Sequence, residues 1–184
     1  MGSDKAALPV GSEPAAQRAG RLLSEVTEPT LEIGPGRSGL PSLQDQPPLE
    51  GPLSAIACGF HALTGSGYDG AVVVLACDLP LMTAAFLRWL ADSDGDGTVI
   101  PEVGGHLQPV CARWSASHAR LMVSLVATGH RSFAPLLDKP DLSIVDERHW
   151  GQVARPEIFS DTDTPADRRR LGLSDPEGTG GHTR

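Results

Sequence analysis

The 184-residue chain is poor in aromatic side chains, of which it has eight, and in cysteines, of which it has three. The core must therefore be built mainly from Ala, Val, Leu and Ile. The spacing of the cysteines fits neither a zinc site nor a redox pair, so we expect buried thiols in a reducing compartment. Cys58, Cys77 and Cys111 all lie in apolar surroundings along the sequence.

The chain also has no excess of positive charge, and its formal net charge is −8. This charge argues against nucleic acid as a partner through a broadly basic face. A small phosphorylated ligand stays compatible with it, since a helix N-terminus or a divalent metal can hold phosphate. The sequence contains no apolar run of the ~20 residues that span a bilayer, and it does not open on a basic-then-apolar leader. We therefore expect a cytoplasmic protein with no membrane partner.

Sixteen prolines and twenty-one glycines indicate many short connections rather than a helical bundle. Apolar periodicity predicts helices near 14–26, 52–63, 83–91 and 115–127, and strands near 30–33, 72–78, 98–101, 107–112 and 142–145. This alternation predicts an α/β fold with a mostly parallel sheet and helices on both faces. Residues 34–50 form a Pro- and Gly-rich loop of a length that is usually functional or disordered. Residues 174–184 read as a polar tail that follows one domain.

One strand ends on a carboxylate. The apolar run that begins at Val72 reaches Asp78 and is followed by Pro80, which cannot donate to a strand ladder. Open α/β sheets bind ligands at the carboxyl ends of their strands, where a carboxylate suits Mg²⁺. Asp78 is therefore a candidate metal or phosphate site, and the alternative is an N-cap of the next helix.

Other features could meet at the same sheet edge. Lys5 offers a cation, Asp45 lies in the long loop, and Gly51-Pro52-Leu53 allows close backbone approach before a helix N-terminus. With a metal at Asp78, this set would supply what nucleotidyl transfer requires, namely charge neutralisation and positioned donors. Each of these also has a purely structural interpretation. Lys5 can be a solvated surface lysine, Asp45 a turn residue, and Gly51-Pro52 a loop that ends one element before the next begins. Asp163 is a candidate second metal ligand, or a residue of a helix cap.

The order of the motifs resembles one family. The segments that carry this resemblance are Met1-Gly2-Ser3-Asp4-Lys5, Gly51-Pro52-Leu53-Ser54-Ala55-Ile56, Ala76-Cys77-Asp78-Leu79-Pro80, Gln108-Pro109 and Asp161-Thr162-Asp163-Thr164-Pro165. Together they resemble the molybdenum cofactor guanylyltransferase family of bacterial nucleotidyltransferases, over residues 1–173. The spacing of the Gly-Pro-Leu and Cys-Asp-x-Pro motifs is more specific for the wider fold than for the substrate.

The resemblance implies a Rossmann-like nucleotidyltransferase domain that transfers GMP from GTP with Mg²⁺ to molybdenum-bound molybdopterin and releases pyrophosphate. By position, Lys5 matches the lysine that faces the nucleotide phosphates, and Asp78 matches the magnesium ligand. Asp45 matches approximately an acidic loop residue that binds nucleotide. Molybdoenzymes or their chaperones are further candidate partners.

The sequence departs from the family at its start. Members carry a first strand and a glycine-rich loop of the form Leu-Ala-Gly-Gly-x-Ser-x-Arg-Met-Gly, of which Met1-Gly2 matches only the last two residues. We therefore expect the natural reading frame to begin upstream. Two other functions stay open: a related nucleotidyltransferase that uses CTP, such as a molybdopterin cytidylyltransferase, and a non-catalytic protein that binds the cofactor.

Overall fold

The structure is a computed structural model that describes residues 5–44 and 50–161. Its α-helices are α1 (Ala15–Ser24), α2 (Pro52–Gly65), α3 (Ala84–Ala91), α4 (Ala116–Ala127), α5 (Ala134–Leu137) and α6 (Glu147–Trp150). Its strands are β1 (Pro9–Val10), β2 (Glu13–Pro14), β3 (Glu32–Ile33), β4 (Ser42–Leu43), β5 (Val72–Leu75), β6 (Thr98–Val103), β7 (His106–Leu107), β8 (Cys111–Trp114) and β9 (Leu142–Val145). Short 3-10 helices cover Lys5–Ala7 and Pro156–Phe159. In these ranges no helix is both long and apolar enough to cross a membrane.

The main sheet has β6 at its centre. Val99 of β6 pairs with Arg113 of β8 and also with Ser143 of β9, so these two strands lie on opposite edges of β6. The strand β8 also pairs with β5, and β7 forms a hairpin with β6. The pairs β1–β2 and β3–β4 form separate two-stranded sheets.

The expectation of a mostly parallel sheet is not met, because most pairings among the described residues are antiparallel. In the main sheet, β8 runs antiparallel to both of its neighbours, and only the β6–β9 pair is parallel. The reason is the length of the connections. Parallel neighbours need a crossover of a dozen or more residues. Residues 104–110, which include β7, are too short for one between β6 and β8, whereas α4 and α5 supply one between β6 and β9.

Helices cover both faces of this sheet. On β5, Val73 and Leu75 pack into a cluster with side chains from α1, α3 and α6, while Val72 and Val74 pack against α2, α4 and α5. The neighbouring strands alternate in the same way, as a strand with two buried faces must. Three of the chain's few rings, Phe86, Trp150 and Phe159, contact one another in the first cluster at centroid distances of 5.2–5.7 Å.

The cysteines differ in burial. Cys111 of β8 is fully buried, and burial raises the pKa of its thiol above the ordinary range. Cys58 and Cys77 are partly exposed, and none of the three forms a disulfide in the described part of the chain. The expectation of buried thiols therefore holds for Cys111 alone.

The strand β5 has one open edge. Among the described residues it pairs only with β8, and each of its four residues is partly exposed. By contrast, all four residues of the neighbouring strand β8 and the first four residues of β6 are buried. The open edge of β5 therefore borders a space that neighbouring strands do not fill.

A polar network is buried where α4 meets β6. His118 Nδ1 lies 3.0 Å from Thr98 Oγ1 and 2.9 Å from Ser115 Oγ, and Ser115 caps α4 by accepting a hydrogen bond from the His118 amide. The Nε2 atom of His118 is buried and has no hydrogen-bond partner in the described ranges. Burial lowers the pKa of His118, and this effect exceeds the opposing attraction of Asp141. The folded protein therefore favours a neutral imidazole.

This network predicts a loss of stability in mild acid. Because the pKa of His118 is lower in the folded than in the unfolded state, the unfolded chain takes up the proton first as the pH falls below about 6.5. We expect the free energy of unfolding, measured by urea titration, to fall between pH 7.5 and pH 5.5, and to fall less steeply in His118→Asn. The control His61→Asn changes an exposed histidine of α2 and should keep the full slope. Equal slopes in all three proteins would contradict the assignment.

Candidate active site

A cavity of about 430 Å³ lies along the open edge of β5, between α1 and α2. Apolar side chains of α1, α2 and β5 form most of its wall, and Leu31 and Ile33 close one side. Asp78, Pro52 and Ala6 reach this same cavity from three separate parts of the chain. The structure thus brings together the end of β5, the start of α2 and the segment that contains Lys5.

Asp78 lies in a turn after β5. The strand ends at Leu75, the Ala76 amide donates to Val110 O at 2.8 Å, and residues 77–78 turn toward the cavity wall. The N-cap of α3 is Thr83, whose side chain accepts a hydrogen bond from the Phe86 amide. Asp78 is therefore not the helix cap that the alternative interpretation of the sequence suggested. It is a half-buried residue that lines the cavity instead.

The start of α2 is shaped by Gly51 and Pro52. Gly51 has φ 96° and ψ 177°, a backbone conformation that side-chain-bearing residues rarely adopt. Pro52 occupies the first turn of the helix, where its missing amide proton costs nothing. Leu53 is fully buried in the core, so it can offer a ligand only its backbone. The first-turn amides of a helix have no partner within it and favour anions.

A further acidic residue organises the loop beside the cavity. The Glu32 carboxylate accepts hydrogen bonds from the amides of Gly36, Arg37 and Ser38, at 2.8, 3.1 and 2.7 Å. Partial burial raises the pKa of Glu32, but these hydrogen bonds outweigh it and leave the pKa below its ordinary value. The ionised carboxylate thus holds residues 34–38 against α1, where Ser38 lies so close to Gly20 that an added Cβ would come within 2.9 Å.

Arg18 of α1 holds the chain just beyond Asp78. Its Nε donates to Pro80 O at 2.9 Å, and its Nη2 donates to Met82 O at 3.0 Å. Arg18 is 62 positions from Pro80 and 64 positions from Met82 in the sequence. The sequence did not indicate Arg18 or Glu32, because each forms hydrogen bonds with backbone groups. Every residue type has such groups, so the identity of the partner residue gives no signal in the sequence.

The remaining predicted site residues are only partly described. Lys5 begins a 3-10 helix, and its side chain lies outside the described part of the structure. Asp45 and Asp163 also lie outside the described residues. Among the described residues, Asp78 and Pro52 line one cavity, and the roles assigned to the site residues stay predictions.

The donor set at the cavity fits a magnesium ion that arrives with a nucleotide. In residues 5–44 and 50–161 there is no group of three or more His, Cys, Asp or Glu side chains that could hold a metal alone. Mg²⁺ does not require such a group, since one or two carboxylates together with substrate phosphates and water usually suffice. Asp78 at the cavity wall provides one such carboxylate.

Comparison with known proteins gives the family. Residues 1–139 match the model of the MobA-like NTP transferase domain. The chain belongs to this family. It is 32% identical over 179 residues to a probable molybdenum cofactor guanylyltransferase of Pelotomaculum thermopropionicum, with 91% of this chain and 83% of that protein covered. A protein of the same description from Carboxydothermus hydrogenoformans is 25% identical, with 93% and 88% covered. The resemblance noted in the sequence is confirmed.

Solved structures show the same fold for this MobA-like chain. The molybdopterin-guanine dinucleotide biosynthesis protein A of Archaeoglobus fulgidus superposes with a TM-score of 0.68 at 17% identity, covering 91% of this chain and 88% of that one. A nucleotidyl transferase from Methanothermobacter gives a TM-score of 0.70 at 19% identity, covering 91% and 82%. The α/β nucleotidyltransferase fold is thus established, with the strand directions described above.

Proposed function

We propose that this protein transfers GMP from GTP to the terminal phosphate of molybdenum-bound molybdopterin, which yields the guanine dinucleotide form of the cofactor and pyrophosphate. The observation that carries the proposal is the meeting of Asp78 and the start of α2 at one cavity in a MobA-like chain. Relatives described as probable molybdenum cofactor guanylyltransferases align with more than nine-tenths of its length, which supports the choice of reaction.

The reaction requires positioning and charge stabilisation rather than a protein nucleophile. A molybdopterin phosphate oxygen attacks the α-phosphorus of GTP in line, the bond to the bridging oxygen breaks, and pyrophosphate leaves. Ser115 and His118 form a serine–histidine pair, but both are buried at the start of α4 and have a structural role. Among the described residues that line the cavity there is no pair of this kind, which agrees with direct transfer.

Each residue of the site has a distinct task in this proposal. Asp78 holds Mg²⁺, which neutralises charge on the phosphates when it is bound. The first-turn amides after Gly51 orient the phosphates, and Lys5 provides a second positive charge. Asp45 contributes to nucleotide binding, and Asp163 is the proposed second metal ligand. The product then passes to molybdoenzymes or their chaperones in the cytoplasm.

Nucleotide preference tests the proposal. We expect GTP with Mg²⁺ to raise the melting temperature more than CTP or ATP does, because a ligand that binds only the folded state stabilises it. At 100 times its Kd, such a ligand adds about 2.7 kcal/mol. Thermal shift assays measure this directly, and pyrophosphate release in the presence of molybdenum-bound molybdopterin measures the transfer.

The same assays distinguish the alternatives. A larger shift with CTP, accompanied by pyrophosphate release from CTP, would identify a cytidylyltransferase instead. Binding of molybdopterin without pyrophosphate release from any nucleotide would identify a non-catalytic protein. Either result would contradict guanylyl transfer.

A further inference from the structure

The Arg18 side chain contacts the segment that follows Asp78. The turn that carries Asp78 runs from the end of β5 to the Thr83 cap of α3 and contains no regular secondary structure. Leu79 and Met82 anchor it by burial, and the Met82 amide donates to Leu79 O at 3.2 Å. Between these two apolar anchors, the backbone is held by the Arg18 side chain.

Arg18 is suited to fix the direction of this turn. Its Nε and Nη2 atoms donate to two different carbonyls, Pro80 O and Met82 O, so the planar guanidinium sets both position and orientation. The side chain is only partly exposed, at 26%, and also lies 3.6 Å from Glu13. A lysine would keep the charge but could not reproduce the two-point hydrogen bonding of the rigid fork.

We propose that Arg18 is a positioning residue for the reaction, which aims the Asp78 carboxylate into the cavity by holding the carbonyls of Pro80 and Met82. The inference rests on the proposed function, because it assigns Arg18 a role in binding the nucleotide together with its metal. Arg18 itself does not need to touch either ligand. Loss of the fork lets the turn sample other directions, and small misplacements of a metal ligand reduce affinity strongly.

The chain offers a matched control one turn away on the same helix. Arg21 of α1 makes its three hydrogen bonds with Glu13 and Glu25, all at the exposed surface. The variants Arg18→Lys and Arg18→Met therefore remove the contact with the turn. The variants Arg21→Lys and Arg21→Met alter the ion pairs with Glu13 and Glu25 on the same helix and leave the turn untouched.

Two measurements on the full chain test the proposal. Hydrogen exchange followed by mass spectrometry reports the opening of residues 76–83 relative to those of α3, without ligand. Titration of GTP in the presence and absence of Mg²⁺, together with Mn²⁺ binding followed by electron paramagnetic resonance, reports the metal-dependent part of affinity. We expect both Arg18 variants to exchange faster in 76–83 and to weaken metal-dependent binding by about tenfold or more, the usual effect of losing a group that orients a metal ligand.

The expected pattern is specific. Metal-free GTP should bind the Arg18 variants as it binds the unchanged protein, and both Arg21 variants should match the unchanged protein in every measurement. Unchanged exchange and unchanged Mg²⁺ dependence in Arg18→Lys would overturn the proposal, and so would equal losses of metal-free and metal-dependent binding. If Arg18→Met does not fold, Arg18→Lys decides. If the unchanged protein binds no nucleotide, the proposed function fails, and the exchange data still decide whether Arg18 holds the turn.

Discussion

The Asp78→Asn variant should fold normally and lose nearly all metal-dependent GMP transfer. The carboxylate lies in a turn at the cavity and outside both core clusters, so the amide leaves the packing unchanged. A neutral amide is a much poorer ligand for Mg²⁺ than a carboxylate. Because the metal compensates the charge on the reacting phosphates, we expect turnover to fall on the order of 10²-fold or more, comparable with the loss of other transition-state charge stabilisers.

Pyrophosphate release at saturating GTP measures this loss, and thermal unfolding checks the fold. Asp96→Asn is the matched control, because Asp96 is an exposed carboxylate in the turn before β6. This control should retain the turnover of the unchanged protein. Higher Mg²⁺ should restore part of the activity of Asp78→Asn if the defect lies in metal binding. Turnover within twofold of the unchanged protein would contradict the assigned role of Asp78.

The helices could be predicted from the sequence because their signals are local. Apolar periodicity predicted the third helix near 83–91, and the structure places α3 at Ala84–Ala91 with Thr83 as its cap. The fourth helix follows the same rule, with Ser115 as the cap of Ala116–Ala127. Short side chains that accept a hydrogen bond from the next turn mark a helix start in the sequence itself.

Strand direction could not be predicted in the same way, because pairing joins residues far apart in sequence. The alternation of helices and strands predicted parallel neighbours, yet β8 lies between β5 and β6 and runs antiparallel to both. The short connection of residues 104–110 between β6 and β8 is the sequence feature that could have indicated their antiparallel pairing. The turn at Gly104-Gly105 requires positive φ at both positions, which the two glycines supply.

The candidate site also combines residues that the sequence indicated with residues that it did not. The strand-end rule directed attention to Asp78, which lines the same cavity as Pro52 at the start of α2, and the roles of both residues stay predictions. The residues that hold the surrounding loops were not predictable, since Arg18 contacts carbonyls and Glu32 contacts amides. Backbone groups are the same at every position, so only a structure shows which of them a side chain reaches. The candidate site residues were thus proposed from the sequence, whereas the residues that support their loops required the fold.

The open edge of β5 leads to the second large prediction. Its four residues are apolar and partly exposed, and the cavity beside them has mostly apolar walls. An unpaired apolar edge of this kind is a template for another strand. Ala6 lines the same cavity. An upstream strand, as the resemblance implies, would therefore have both hydrogen-bonding partners and apolar walls within reach.

A chain extended in frame upstream of Met1, so that it includes an apolar strand, should be more stable and turn over GTP faster than residues 1–184 alone. Burial of a few Val or Leu side chains stabilises by about 1.5–3 kcal/mol each, so a net gain of ~5 kcal/mol is reasonable. In a chain of this size, such a gain raises the melting temperature by roughly 10–20 °C. Calorimetry and pyrophosphate release measure the two effects.

The control for this prediction is an extension of the same length that carries two prolines within the strand. Proline cannot donate to a ladder, so this form should not pair with β5, although its length and remaining composition are unchanged. Only the form without prolines should gain stability, and its cavity should lose the exposed apolar wall beside Val73 and Leu75. Equal melting temperatures and equal turnover in all three forms would show that the edge of β5 needs no further strand.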